Sequence, residues 1–194
     1  MAETIQKMQK LRSLNVVTII IIIAIISLGV WRLMIWADNE KRNALLEQTK
    51  LVTQAVSIND IKSLKGTNED LSKESFHRLK DYFAAVRSAS QNIRFVYMMG
   101  RNSKGEVFFF VDSEPEGTAG YAPPGDVYNE APLSFKQIFD DKKWRVSDPV
   151  TDRWGQWITA LVPVTDENTG KVIAVMAMDV DARFWKWDVA SRIA

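Results

Sequence analysis

From Leu14 to Trp31 the chain runs for eighteen residues without a charge, and five consecutive isoleucines, Ile19 to Ile23, sit at its centre. With Arg32-Leu33-Met34-Ile35-Trp36 appended, the run reaches the roughly 20 residues that a helix needs to cross the hydrocarbon layer. It has no polar stripe and no small-x-small cleavage pattern, so it predicts an uncleaved transmembrane signal anchor over residues 14–36 rather than a buried core helix or a removed leader. Lys7, Lys10 and Arg12 precede it against Glu3 alone, whereas the residues after it mix Asp38 and Glu40 with Lys41 and Arg42. The positive-inside bias places residues 1–13 in the cytoplasm and everything from residue 37 on the other side of the cell (inner) membrane.

Beyond the anchor the apolar period is first helical. Ala44, Leu45, Leu51, Val52, Ala55, Val56 and Ile58 form a broad stripe on a helix that continues out of the membrane. Asn59-Asp60 and Gly66-Thr67-Asn68 interrupt it, with a short helical turn between. A second helix is expected from Ser72 as its cap, with Phe76, Leu79, Phe83 and Val86 on one face.

The period then shortens to two, or to unbroken apolar runs. Residues 94–100 and 106–112 flank Asn102-Ser103-Lys104-Gly105 as one hairpin, and residues 157–165 and 171–180 flank Asp166 to Gly170 as another. A strand over residues 143–150 makes five. Between the hairpins run a long Pro-, Gly- and Tyr-rich connection and a short helix near Leu133 to Phe139, and the chain ends in a helix-compatible segment, 182–193. The order predicts an α+β fold: a membrane helix running into a long helix, then a five-stranded antiparallel PAS-like sheet with flanking helices over residues 37–187, and a helical tail over 188–194.

Charge and composition narrow the chemistry. Without the anchor and its flanks the chain keeps 21 basic against 23 acidic residues, which gives no nucleic-acid-binding surface. There is no cysteine and one histidine, His77, so thiolate catalysis, disulfides and a serine–histidine triad have little to build from. No phosphate loop or zinc spacing is present, and neither cofactor nor enzymatic activity is expected.

Ile93 to Gly100 (IRFVYMMG), Val111 to Pro115 (VDSEP), Tyr121 to Gly125 (YAPPG), Thr151 to Trp157 (TDRWGQW) and Gly170 to Asp181, ending Met178-Asp179-Val180-Asp181, together resemble the extracytoplasmic PAS-like (Cache-type) sensor domain of bacterial membrane-bound histidine kinases and diguanylate cyclases. The resemblance implies a periplasmic module that binds a small ligand and signals across the membrane in a two-component or cyclase system. It also implies a second membrane segment and an output module beyond Ala194.

Strand alternation selects side chains that can share a cavity. On the first strand Phe95, Tyr97, Met99 and Arg101 lie on one face; on the last, Ile173, Val175, Ala177, Asp179 and Asp181 do. Asp179 follows an apolar run, so its carboxylate needs a partner: a ligand amine or hydroxyl, as the resemblance implies, or Arg94, Arg101 or Arg153. Asp152, Arg153, Trp154 and Trp157 cluster around Gly155 and could frame a small-molecule pocket, with Arg153 able to clamp a carboxylate; they could equally form a structural turn. Tyr121 and Tyr128 lie on the long loop that would roof the sheet. The ligand expected is a carboxylate or an amine. A homodimer through the membrane-emerging helix is the expected assembly, and a membrane-tethered protein-docking module without a small ligand is the alternative.

Overall fold

The computed structural model describes residues 2–191, with side chains from Val16 onward; the last residues of the expected tail, 192–194, lie outside the described residues, as do the side chains of the expected cytoplasmic segment. A single helix, α1 (Ala2–Gln54), carries the chain from the apolar run into the domain. Every side chain from Val16 to Trp36 is exposed, because nothing in the protein covers an all-round apolar helix. At Ala37 the pattern becomes one-sided, and Ala37, Leu45, Leu46, Thr49 and Val52 are buried. Thr49 donates to the Leu45 carbonyl at 2.8 Å, which removes the cost of a buried hydroxyl.

Helix α2 (Ile58–Ser63) is capped by Ser57, whose hydroxyl accepts from the Asp60 amide. A 3-10 turn (Asn68–Ser72) follows, held by the fully buried Asp70, which accepts from the amides of Lys65, Gly66 and Thr67 and pairs with Lys73 at 2.7 Å. This turn corrects the expected start of the next helix: the Ser72 hydroxyl bonds back to Glu69, and Lys73 occupies the cap of α3 (Glu74–Ala89).

The strands are β1 (Phe95–Arg101), β2 (Val107–Asp112), β3 (Arg145–Val146), β4 (Val150–Asp152), β5 (Gly155–Thr165) and β6 (Val172–Asp181), in one antiparallel sheet ordered β2-β1-β6-β5-β3, with β4 also on β5. The expected strand over 143–150 is thus two short ones. Ser147-Asp148-Pro149 breaks it, since proline supplies no ladder amide and restricts the residue before it.

Both faces of the sheet are covered, which is why its strands read as continuous apolar runs. One face packs Val96, Met98, Phe110, Ala160, Met176 and Met178 under α1 and α3. The other packs Phe95, Tyr97, Met99, Phe109, Leu161, Val175 and Ala177 against the long connection and α4 (Leu133–Asp141). After β6 the chain turns at once into α5 (Ala182–Ser191), which lies on α1 through the buried Trp185; its indole donates to Asp38 at 2.7 Å, and Lys41 pairs with Asp188 at 2.6 Å.

Candidate functional site

The face of the sheet opposite α1 holds a small cavity under the long connection. Phe95 and Tyr97 of β1, Phe109 of β2, Asp112 at the end of β2, Tyr128 of the connection, Asp152 and Trp154 of the β4–β5 turn and Asp179 of β6 line it. Three carboxylates therefore converge on one aromatic-walled space, and no lysine, arginine or histidine is among its lining residues. Its free volume is about 20 Å³, the room of a single water molecule.

Asp179 is 3 % exposed. The Tyr97 hydroxyl donates to it at 3.3 Å, and Thr159, directly opposite on β5, bonds it from the other side. Burial pushes its carboxyl up to about 7; the nearby Asp152 and Asp112 charges add to that rise, and the two hydroxyl donors only partly oppose it. None of the arginines considered as partners reaches it: Arg94 pairs with Glu114, Arg101 with Asp140 and Arg153 with Asp126.

Asp112 reaches the cavity through an irregularity in the β1–β2 pairing. The register shifts between Met98 and Met99, so Met99 faces Phe109, Met98 faces Val111 and Tyr97 faces Asp112, leaving Phe110 as the extra residue. A bulge of this kind inverts the alternation beyond it. Strict alternation from Phe109 would send Asp112 to the α1 side, and this is why sequence periodicity missed it. Asp112 accepts from the Ala122 amide at 2.7 Å and from the Glu114 amide, fastening both ends of the loop tip; burial pushes its carboxyl up to about 6.

Asp152 is saturated by donors. Its Oδ1 accepts from the Trp154 amide at 2.9 Å, the Gly155 amide at 3.1 Å and Trp157 Nε1 at 2.9 Å, and its Oδ2 from the Tyr128 hydroxyl at 2.7 Å. This carboxylate sets the turn and aims Tyr128; Asp112 and Asp179 keep unused acceptor positions, since a carboxylate offers about four. Gly155 is required here because a Cβ would fall 2.5 Å from the Trp157 ring.

Other residues singled out in the sequence lie elsewhere. Arg101 points outward, its guanidinium in a two-bonded pair with Asp140 of α4. Arg153 stacks on Trp154, 4.2 Å from its centroid, and holds Asp126 at 2.7 Å; it latches the loop rather than reaching the cavity. Trp157 packs edge-on against Phe95 behind the wall. Tyr121 turns away, its ring over Lys80 at 4.6 Å, while its neighbours Gly120 and Ala122 form the roof. Phe109 is both core and cavity wall, in contact with Tyr97, Tyr128 and Trp154.

The roof is the loop tip from Pro115 to Ala122. At its base Glu114, buried, pairs with Arg87 and with Arg94, and at its far end residues 125–128 run beside β2, the Gly125 amide donating to Phe109 and the Tyr128 amide to Val107, each at 2.8 Å. Between those anchors the tip is tied to the cavity by the Ala122 amide on Asp112 and by Trp154 Nε1, which donates to the Ala119 carbonyl at 3.0 Å.

No family model matches the sequence, and no curated protein matches it either. Its fold does have solved relatives. An extracellular ligand-binding receptor from Desulfohalobium retbaense superposes with a TM-score of 0.55 at 11 % identity over 83 % of this chain and 26 % of that one. The ligand-binding domain of the Campylobacter jejuni chemoreceptor Tlp3 in complex with L-norvaline gives 0.51 at 14 % identity, over 82 % and 59 %. The same domain in complex with 4-methylisoleucine gives 0.50 at 14 %, over 79 % and 57 %. The chain thus spans under two thirds of each, and what it shares with them is the architecture. It shares with these ligand-binding proteins an α+β fold, here entered from a long apolar helix.

Proposed function

We propose that this chain is a membrane-anchored extracytoplasmic sensory domain that binds a small organic ammonium ion and passes the binding event inward, by a shift of α1 relative to β6 and α5, to a cytoplasmic output of the histidine-kinase or diguanylate-cyclase type lying outside residues 1–194. One observation carries the choice of ligand: Asp112, Asp152 and Asp179 line a cavity walled by five aromatic rings, with no cationic side chain in the lining. Three buried carboxylates against a single neighbouring ammonium, that of Lys80 beside Asp112, favour a cation, and aromatic faces attract ammonium groups further. A free carboxylate would meet only like charge, so of the two ligand classes expected from sequence the amine is the one supported.

Asp179 and Asp112 would receive the ammonium protons, Asp152 would hold Tyr128 and Trp154 in place, and Phe95, Tyr97 and Phe109 would enclose the alkyl part. Entry requires the Pro115–Ala122 tip to lift, because the closed cavity holds no more than a water molecule. Closure on the ligand then shifts β6, and β6 continues directly into α5, which is bonded to α1 at Asp38 and Lys41. The membrane-proximal assembly is a homodimer along the outer face of α1, where Ala44 and Leu51, one heptad apart, remain exposed after Leu45, Leu46 and Val52 are used by the sheet.

A thermal-shift panel on the full chain in lipid nanodiscs tests the ligand class. Ethanolamine, putrescine and butylamine are compared with acetate, succinate and benzoate. A ligand at a hundred times its Kd stabilises by ~2.7 kcal/mol, which is readily seen. At least one amine raises Tm saturably and the carboxylates do not. A carboxylate hit, or silence across the amines while the protein captures another protein, contradicts the reading.

A further inference from the structure

The membrane-proximal end of the domain carries a second exposed aromatic surface besides α1. On α5, Trp185 is buried against α1, yet Phe184 and Trp187, three residues apart and on one face, are 69 % and 77 % exposed. Exposing two large aromatics side by side costs apolar burial and calls for an occupant. They line a groove of about 620 Å³ together with the 91–94 segment, and its charged lining is balanced, Lys41 and Arg94 against Asp181 and Asp188.

Its height relative to the bilayer follows from α1. From Val16 to Trp36 the helix is uncovered over ~30 Å, the thickness of the hydrocarbon layer, so the outer boundary falls at Trp36. Asp38 and Lys41, which bind α5, lie two and five residues further, or ~3 and ~8 Å along the axis. This is the depth of the lipid headgroups. Tryptophan is favoured at that level because its ring is apolar while its N–H stays solvated. Lys186, exposed on the same helix, suits anionic headgroups, whereas Arg183 is paired with Asp181.

We infer that α5 is a membrane-contact element: Phe184 and Trp187 insert into the headgroup region of the outer leaflet beside the point where α1 emerges, with lipid filling the groove against residues 91–94. α5 then gives the domain a point of contact with the bilayer besides α1, and the domain's tilt is fixed where β6 ends. The inference rests on the anchor reading of α1 and is independent of which ligand the cavity binds.

The absence of cysteine allows single-site labelling without further changes. Phe184→Cys, Trp187→Cys, Leu133→Cys on the exposed surface of α4, and Ile22→Cys are each labelled with a nitroxide in the full chain, reconstituted in nanodiscs of three parts phosphatidylcholine to one part phosphatidylglycerol. Collision with oxygen and with a water-soluble nickel chelate is read by power saturation. Labels at 184 and 187 are expected to lose most of their nickel collisions and gain oxygen collisions relative to 133, at a depth shallower than 22. Nickel accessibility at 184 and 187 equal to that at 133 overturns the proposal. Protection accompanied by dipolar broadening from a second label also overturns it, since the occupant is then another copy. Nickel accessibility at 22 overturns the anchor itself and the proposal with it.

Discussion

Asp179 is where ligand recognition and stability pull in opposite directions. Its carboxyl lies at about 7 in the folded protein against about 3.8 in an unfolded chain, so between those values the folded state holds a proton that the unfolded state has released. The group's contribution to stability therefore falls as pH rises from about 4 to about 7. Asp179→Asn removes that penalty while keeping the shape: Tm at pH 8 is expected to stay level or rise by a few degrees, and the decline in Tm from pH 5 to 8 to flatten. The same change removes a charged acceptor worth ~1.5–3 kcal/mol, so amine affinity should fall roughly 10- to 150-fold by calorimetry. A simple structural role would lower both together. Glu114 gives the opposite contrast. It is a buried carboxylate paired to two arginines, and Glu114→Gln leaves Arg87 and Arg94 without their counter-charge. A loss of ~1–2 kcal/mol in urea unfolding is expected, because the Arg87 and Arg94 side chains are 25 % and 45 % exposed and water takes up part of the lost counter-charge.

Among the elements, the loop tip controls exchange. Trp154→Phe retains an aromatic wall but deletes the bond to the Ala119 carbonyl, one of the few ties across the mouth. Association and dissociation rates measured by stopped flow should both rise several-fold with Kd changed by less than the tenfold that ~1.4 kcal/mol represents. Equal slowing of both rates would mean that the indole guides entry instead of latching the roof.

The elements also show what could be read without a structure. The long apolar helix, both hairpins and the terminal helix are legible because length and period suffice for uniform segments. The 143–150 strand was read as one piece because its interruption at Pro149 lies in an edge position, where short strands give little periodic signal. Asp112 was hidden by the one-residue bulge at Phe110, and Arg101 and Arg153 were misplaced because Asp140 and Asp126, which draw them outward, lie 39 and 27 residues away in the chain. Local pattern carries no record of such pairings, whereas Asp179, Tyr97 and Tyr128 could be placed from alternation and loop position alone.

At the scale of the whole molecule, a cation in the cavity favours ionised Asp179 and Asp112, so binding releases protons. Apparent affinity for an amine should rise as pH increases through 5 to 7, by roughly tenfold per unit for each proton released, and level off above about 7. A ligand held only by aromatic contacts would show no such slope. Through β6, α5 and the two bonds to α1, that local change in charge has a short, packed route to the long apolar helix.

The central claim, that this cavity takes an ammonium ion on its buried carboxylates, is tested most directly by isothermal titration of the full chain in nanodiscs with the amine selected by thermal shift, at pH 7.5 and pH 5.5, beside Asp179→Asn. The account predicts one saturable site per chain, weaker by tenfold or more at pH 5.5 and weaker to a similar degree in the variant, whose pH dependence is reduced. Binding of equal strength at both pH values and in Asp179→Asn, or no saturable binding of any amine, would contradict it.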